Sequence, residues 1–175
     1  MAWSPIHAQT QAVETAPAEV RAALPGATLV GATRLRVWGF AVYDARLWAM
    51  PGFQPAAYAT EAFALELRYL RDFSREDIAR RSLQEMGRTT KLPDGVAQRW
   101  QEALQAVLPD VRAGDRITGI YQPRGATPAA RFVANGQPVG EVRDGDFARL
   151  FFGIWLSPQT SEPAMRQALL GAPAP

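Results

Sequence analysis

The chain has 175 residues, 47% hydrophobic and 21% charged, which allows one domain with a real core and leaves too little for two. Its formal net charge is +2, and no basic run is interleaved with aromatics, so no nucleic-acid partner is expected. With no cysteine and His7 as its one histidine, the folded body has no disulfides, thiolate nucleophiles, cysteine-bound metals or histidine catalysis; chemistry is left to Arg, Tyr, Asp, Glu, Ser, Thr and the backbone.

In chain order, the opening "MAWSPIHAQTQAVETAPAEV" carries a small-residue pattern around Ala8 like the end of a secretory signal. The charged start and apolar middle of such a signal are missing. Residues 1–16 are read as a tail or signal remnant and residues 17–175 as the domain. The expected location is periplasmic or secreted, with the cytoplasm as alternative. No run of about 18 apolar residues predicts a membrane span.

"APAEVRAALPG" (16–26) predicts a short helix ended by Pro25-Gly26. Residues 27–50 carry two strands' worth of β-prone residues, with Gly31 and Gly39 as candidate bends or bulges. Pro51-Gly52 stops the region, and "QPAAYATEA" reads as loop. "FALELRYL" (63–70) alternates as a half-buried strand. Ser74 caps a helix with acids in its first turn, ended by Gly87. A second helix runs from near Asp94 to Leu108, with Val96, Trp100, Leu104 and Val107 on one stripe. Three strands follow, "DRITGIYQP", "ARFVANGQ" and "PVGEVRD", the last two joined by Asn135-Gly136, a strong two-residue hairpin signal. "GDFARLFFGIWL" (145–156) predicts a very apolar helix, and Ser161 caps a final short one. The pattern is α+β: an antiparallel sheet with helices laid on one face.

Residues 34–50, "RLRVWGFAVYDARLWAM", pose the main question. One parity is Leu35, Val37, Gly39, Ala41, Tyr43, Ala45 and Leu47. The other is Arg34, Arg36, Trp38, Phe40, Val42, Asp44, Arg46 and Trp48, mixing charge with large aromatics. A wet sheet face would not carry those aromatics, so this face is read as partly covered, as in a cleft. A guanidinium there could grip a carboxylate or developing oxyanion with two parallel hydrogen bonds. Alternatively the arginines form cross-strand ion pairs with Asp44 or Glu66. No phosphate-binding glycine motif occurs. Glu76-Asp77 and Asp144/Asp146 read as helix-start and turn charges. Phe151, Phe152, Ile154 and Trp155 read as core or cavity lining.

Taken together, "GATRLRVWGFAVYDARLWA", "LELRYLRDFSREDIAR", "LPDVRAGDRITGIYQP", "RFVANGQPVGEV" and "DGDFARLFFGIWL" resemble the chalcone isomerase-like family, especially its bacterial branch. The resemblance implies an open-faced β-sandwich, a long antiparallel sheet backed by helices. It also implies one of several functions: cyclisation of chalcones, binding of fatty acids without catalysis, or haem binding. The enzymes use a first-strand arginine, which maps to Arg34 or Arg36, and a threonine whose place is taken by Tyr43. Their helical tyrosine and asparagine have no counterpart in "QEMGRTTKLPDGVAQRW". Strict alternation puts Tyr43 opposite both arginines, so a bulge near Gly39 would be needed for them to converge.

The resulting expectation is a non-catalytic binder of a small apolar ligand with an anionic head. Its ligand residues are Arg34, Arg36, Trp38, Tyr43, Tyr121, Phe152 and Trp155, with no metal and no cofactor. An isomerase or intramolecular lyase acting on an enone, with Arg34, Arg36 and Tyr43 catalytic, is the alternative. A structural or partner-binding protein with a filled core is the third reading.

Overall fold

Two hairpins close by the same geometry. Trp38-Gly39 (φ 49° and 79°) joins β1 (Thr28–Val37) to β2 (Phe40–Ala49). Asn135-Gly136 (φ 48° and 81°) joins β5 (Ala129–Ala134) to β6 (Gln137–Val142). Positive φ at both central residues marks the two-residue turn whose twist matches that of the strands. With β3 (Phe63–Tyr69) and β4 (Arg116–Gln122) between them, the six strands form one antiparallel sheet in chain order. The computed structural model describes residues 13–125 and 127–171.

The helices follow the sequence signals with local differences. α2 (Arg75–Thr89) starts at Ser74, whose hydroxyl accepts from the Asp77 amide at 3.1 Å. It runs through Gly87 rather than ending there; a right-handed glycine inside a helix costs only about 1 kcal/mol. α3 is Val96–Val107, and α4 is Gly145–Leu156. The Asp144 carboxylate accepts from the Asp146 and Phe147 amides at 3.0 Å and from Trp100 Nε1 at 3.0 Å, so one side chain caps α4 and ties it to α3. α5 (Pro163–Leu169) begins after Glu162, without a side-chain cap. Ser161 instead donates to the Glu85 carboxylate of α2 at 2.7 Å. The segment expected as loop holds a 3-10 helix, Pro55–Thr60.

Alternation splits the sheet into two differently used faces. Tyr43, Ala45, Leu47, Leu65, Leu67, Ile117 and Phe132 form a core with α2, α3, α4 and α5. Gly31 lets β1 approach the end of α5, because a Cβ there would lie 2.1 Å from the Ala168 carbonyl oxygen. The opposite face is covered by α1 (Ala18–Ala23), so the helices are not confined to one side. Val20 and Leu24 pack over Trp48, Ala64, Ile120 and Val133. The Glu19 carboxylate accepts from Arg116 at 3.1 and 3.2 Å and from Thr118 Oγ1 at 3.0 Å, which pins α1 down. The packed body begins before residue 17: Ala16 is buried, and Glu14 accepts from Arg46 at 3.1 and 3.5 Å. The remainder of the expected tail, residues 1–12, lies outside the described residues.

Candidate functional site

Between the core face and α2, α4 and α5, at the end of the sheet where the β1–β2 hairpin projects, the packing stays open. The hollow has a volume of about 760 Å3, within the range of small-molecule sites. Leu65, Leu67 and Ile117 form its sheet side, and Phe151, Phe152 and Trp155 of α4 form its helix side. Gly119 makes the close approach of α4 feasible, since a Cβ there would sit 2.9 Å from Phe152 Cε1.

A bulge shapes the mouth. Leu35 pairs with Tyr43, but Arg36 pairs with Ala41, leaving Val42 as the extra residue on β2. Without it, period two would place Phe40 on the side of Asp44 and Arg46. With it, Phe40, Val42 and Tyr43 all line the hollow. The aromatic-with-charge parity of the sequence thus resolves into two causes: the bulge turns Phe40 inward, and α1 buries Trp48, whose Nε1 donates to Glu66 at 2.9 Å.

Inside, two hydroxyls dominate the polarity. Tyr43 accepts from Trp155 Nε1 at 2.9 Å, and among the described residues its own hydroxyl has only the soft Met165 sulfur at 4.0 Å as acceptor. Tyr69 packs edge-on against Tyr43, ring centroids 6.0 Å apart. Its hydroxyl makes no hydrogen bond among the described residues, yet no fully enclosed side-chain polar atom there lacks a partner. The Tyr69 hydroxyl therefore faces the open volume. Burial pushes both phenols well above the ordinary tyrosine value, so both stay neutral donors.

Charged side chains also line the hollow, the bases Arg71, Arg80 and Arg81 and the acids Asp72, Asp77, Glu85 and Glu162. Arg80 pairs with Asp77, and Arg81 with Glu85 at 3.0 Å. Arg71 has no carboxylate partner among the described residues; its guanidinium lies 4.8 Å from the centroid of the Phe40 ring.

The residues named from sequence divide accordingly. Trp38, Tyr43, Phe152 and Trp155 line the hollow. Tyr121 lies behind the wall, its ring against Phe63 and Phe152 and its hydroxyl donating to the Ala59 carbonyl at 2.7 Å. Arg34 and Arg36 stand outside, which corrects the expected convergence with Tyr43. Arg34 grips Asp44 at 2.6 and 2.9 Å on the opposite face, the cross-strand pair that was the other reading of these charges. The physical reason is that the Val42 bulge adds its residue to β2; β1 has its own bulge earlier, at Val30 beside Gly31, and alternates without a break from Gly31 to Val37, so its arginines stay outward. Tyr69 and Arg71 went unnamed. Tyr69 continues the Phe63, Leu65, Leu67 face and could have been read from it, whereas Arg71 lies past the end of β3, where alternation gives no guide.

Among the described residues, no group of three or more His, Asp or Glu could hold a metal ion. No helix there is long and apolar enough to cross a membrane.

Comparison with known proteins adds three findings. A family model described as chalcone isomerase-like matches residues 11–171. An uncharacterized protein of Haemophilus influenzae is 34% identical over 83 residues, 47% of this chain and 39% of the relative, so the match spans well under half of that protein. The crystal structure of an Arabidopsis thaliana fatty-acid binding protein superimposes with a TM-score of 0.63, at 11% identity over 84% of this chain and 88% of that one. At such low identity the likeness is one of fold.

Proposed function

The chain belongs to the chalcone isomerase-like family, and from that premise we propose that it is a non-catalytic receptor for a small apolar ligand with an anionic head, of the fatty-acid type. The observation that carries this reading is the hollow of about 760 Å3, walled mainly by aliphatic and aromatic side chains. The fatty-acid binding protein that shares the fold supports the same ligand class.

The chemistry fixes the ligand's direction. A carboxylate deep in the hollow would meet neutral hydroxyls and pay a large desolvation cost. At the rim it meets Arg71, which has no ion-pair partner among the described residues, although Asp72 beside it lines the same hollow. The tail therefore points inward along Phe152 and Trp155, and the head lies outward at Arg71. The Tyr69 hydroxyl is available to a polar atom below it. Each buried methylene contributes about 0.8 kcal/mol before ordering costs, so the tail supplies most of the affinity.

Mass spectrometry of an organic extract of the purified full chain tests the proposal directly. An acyl acid should co-purify, and a fluorescent long-chain acid should bind with a Kd of about 1 μM, equivalent to about −8 kcal/mol. Filling the hollow by Leu67→Trp should abolish that binding. An extract free of any acid, together with no acyl-acid binding tighter than about 100 μM, would overturn it.

A further inference from the structure

We propose that the tip of the β1–β2 hairpin is a docking point for an anionic lipid bilayer, which sets the mouth of the hollow against the membrane surface. The inference shares that mouth with the proposed ligand site but does not require a ligand to be bound.

Three of the five exposed large hydrophobics among the described residues fall within residues 37–40: Val37 at 40%, Trp38 at 94% and Phe40 at 58% of full exposure. Local folding does not account for Trp38. Its backbone is left-handed (φ 49°), a conformation in which asparagine is enriched and a bulky residue is an outlier. The other hairpin of this sheet uses Asn135 in that position with nearly the same φ, 48°. The fold thus accepts asparagine at this turn, yet the β1–β2 turn carries an indole that buries almost nothing of itself in the protein.

Charge complements the apolar tip. Arg36, beside it on β1, and Arg71, over the Phe40 ring, have no ion-pair partner among the described residues, whereas Arg34 is neutralised by Asp44. An exposed tryptophan flanked by free guanidinium groups suits a lipid interface, where the ring sits at headgroup depth and the cations meet lipid phosphates. The rim position of Val37, Trp38 and Phe40 makes the same contact useful: an apolar ligand could pass between bilayer and hollow with little exposure to water.

Co-sedimentation of the full chain with vesicles tests this. Wild type should pellet with vesicles of phosphatidylcholine containing phosphatidylglycerol, weakly with phosphatidylcholine alone, and less as salt rises. Trp38→Asn, which suits the turn and should keep or raise the melting temperature, should lower partitioning about tenfold, equivalent to about 1.4 kcal/mol. Arg36→Gln should weaken the binding to phosphatidylglycerol vesicles and flatten the salt dependence. Wild type that stays in the supernatant with both vesicle types, or a folded Trp38→Asn that pellets like wild type, overturns the inference. So does self-association lost in Trp38→Asn without vesicle binding, which would make the tip a contact between copies. Acyl-acid binding in solution is scored separately, so a chain that binds the acid but ignores vesicles sinks this inference alone.

Discussion

Trp155 of α4 donates its indole N–H to the Tyr43 hydroxyl of β2 at 2.9 Å, joining helix layer and sheet across the wall of the hollow. The bond consumes the indole's one donor and leaves the phenol's proton, among the described residues, with nothing better than a sulfur at 4.0 Å. Tyr43→Phe should therefore act twice. It orphans a buried indole N–H, at a cost of about 1–3 kcal/mol, or roughly 2–12 °C in melting temperature. It also removes a donor from the hollow, so affinity should fall for a ligand with a polar atom at that depth and hold for a plain acyl acid. Calorimetry and ligand titration on the same variant separate the two effects.

Tyr69→Phe makes the opposite prediction for stability. The hydroxyl has no protein partner among the described residues and faces the open volume, so its removal should leave the melting temperature nearly unchanged. Affinity for a plain acyl acid, whose head stays at the rim, should hardly change, and it should fall for a ligand with a polar atom below its head. A clear loss of stability would mean that the hydroxyl has a partner in the folded chain and is not waiting for a ligand.

These contrasts bear on what could be read from the sequence. The Phe63, Leu65, Leu67 alternation, the Ser74 cap, the Asn135-Gly136 turn and the apolar face of α4 are local signals, and they correctly placed the sheet and most of its helices. The bulge at Val42 is not local: nothing in "GFAVYD" distinguishes it from an even strand, and it decides which side Phe40 takes. Arg34 looked like a cleft cation because its partner, Asp44, lies ten residues away across the hairpin and was equally readable as part of the site. Arg71 lies two residues past the end of β3, where period two no longer says which way a side chain points.

Arg71→Ala should separate head from tail. Affinity for an acyl acid should fall about tenfold, the value of one charge-assisted hydrogen bond of about 1.5 kcal/mol. Affinity for the methyl ester of the same acid should hardly change, because the ester brings the same tail without the charge. Calorimetric titration with both ligands checks this; equal losses would place the head elsewhere.

The Arg34–Asp44 pair carries a pH signature. Hydrogen bonding to Arg34, aided by its charge, holds the Asp44 carboxyl below the usual carboxylate range. A depressed folded-state value stabilises the fold above the unfolded value, about pH 3.9, and that contribution is lost as pH falls through the folded value. The melting temperature of Asp44→Asn should thus lie below wild type at neutral pH, with the gap closing in acid. High salt should narrow the same gap, since the pair is solvent-exposed. Acid binding should be unaffected, because neither residue lines the hollow.

Glu19 carries the attachment of α1. Its carboxylate collects two bonds from Arg116 and one from Thr118, and Glu19→Ala leaves Arg116 facing a sheet without its acid. A six-residue helix has no stability of its own, so α1 depends on these bonds and on Val20 and Leu24 packing over Trp48. Glu19→Ala should cost about 2 kcal/mol, or roughly 4–8 °C, and amides of residues 18–24 should exchange faster than those of β3 and β4. Glu19→Gln should recover part of the loss, because a neutral amide oxygen can still accept from Thr118 or Arg116 without the charge. The hollow lies on the other face of the sheet, so ligand affinity should survive a frayed α1; a matching loss of affinity would mean that the two faces are coupled through the strands.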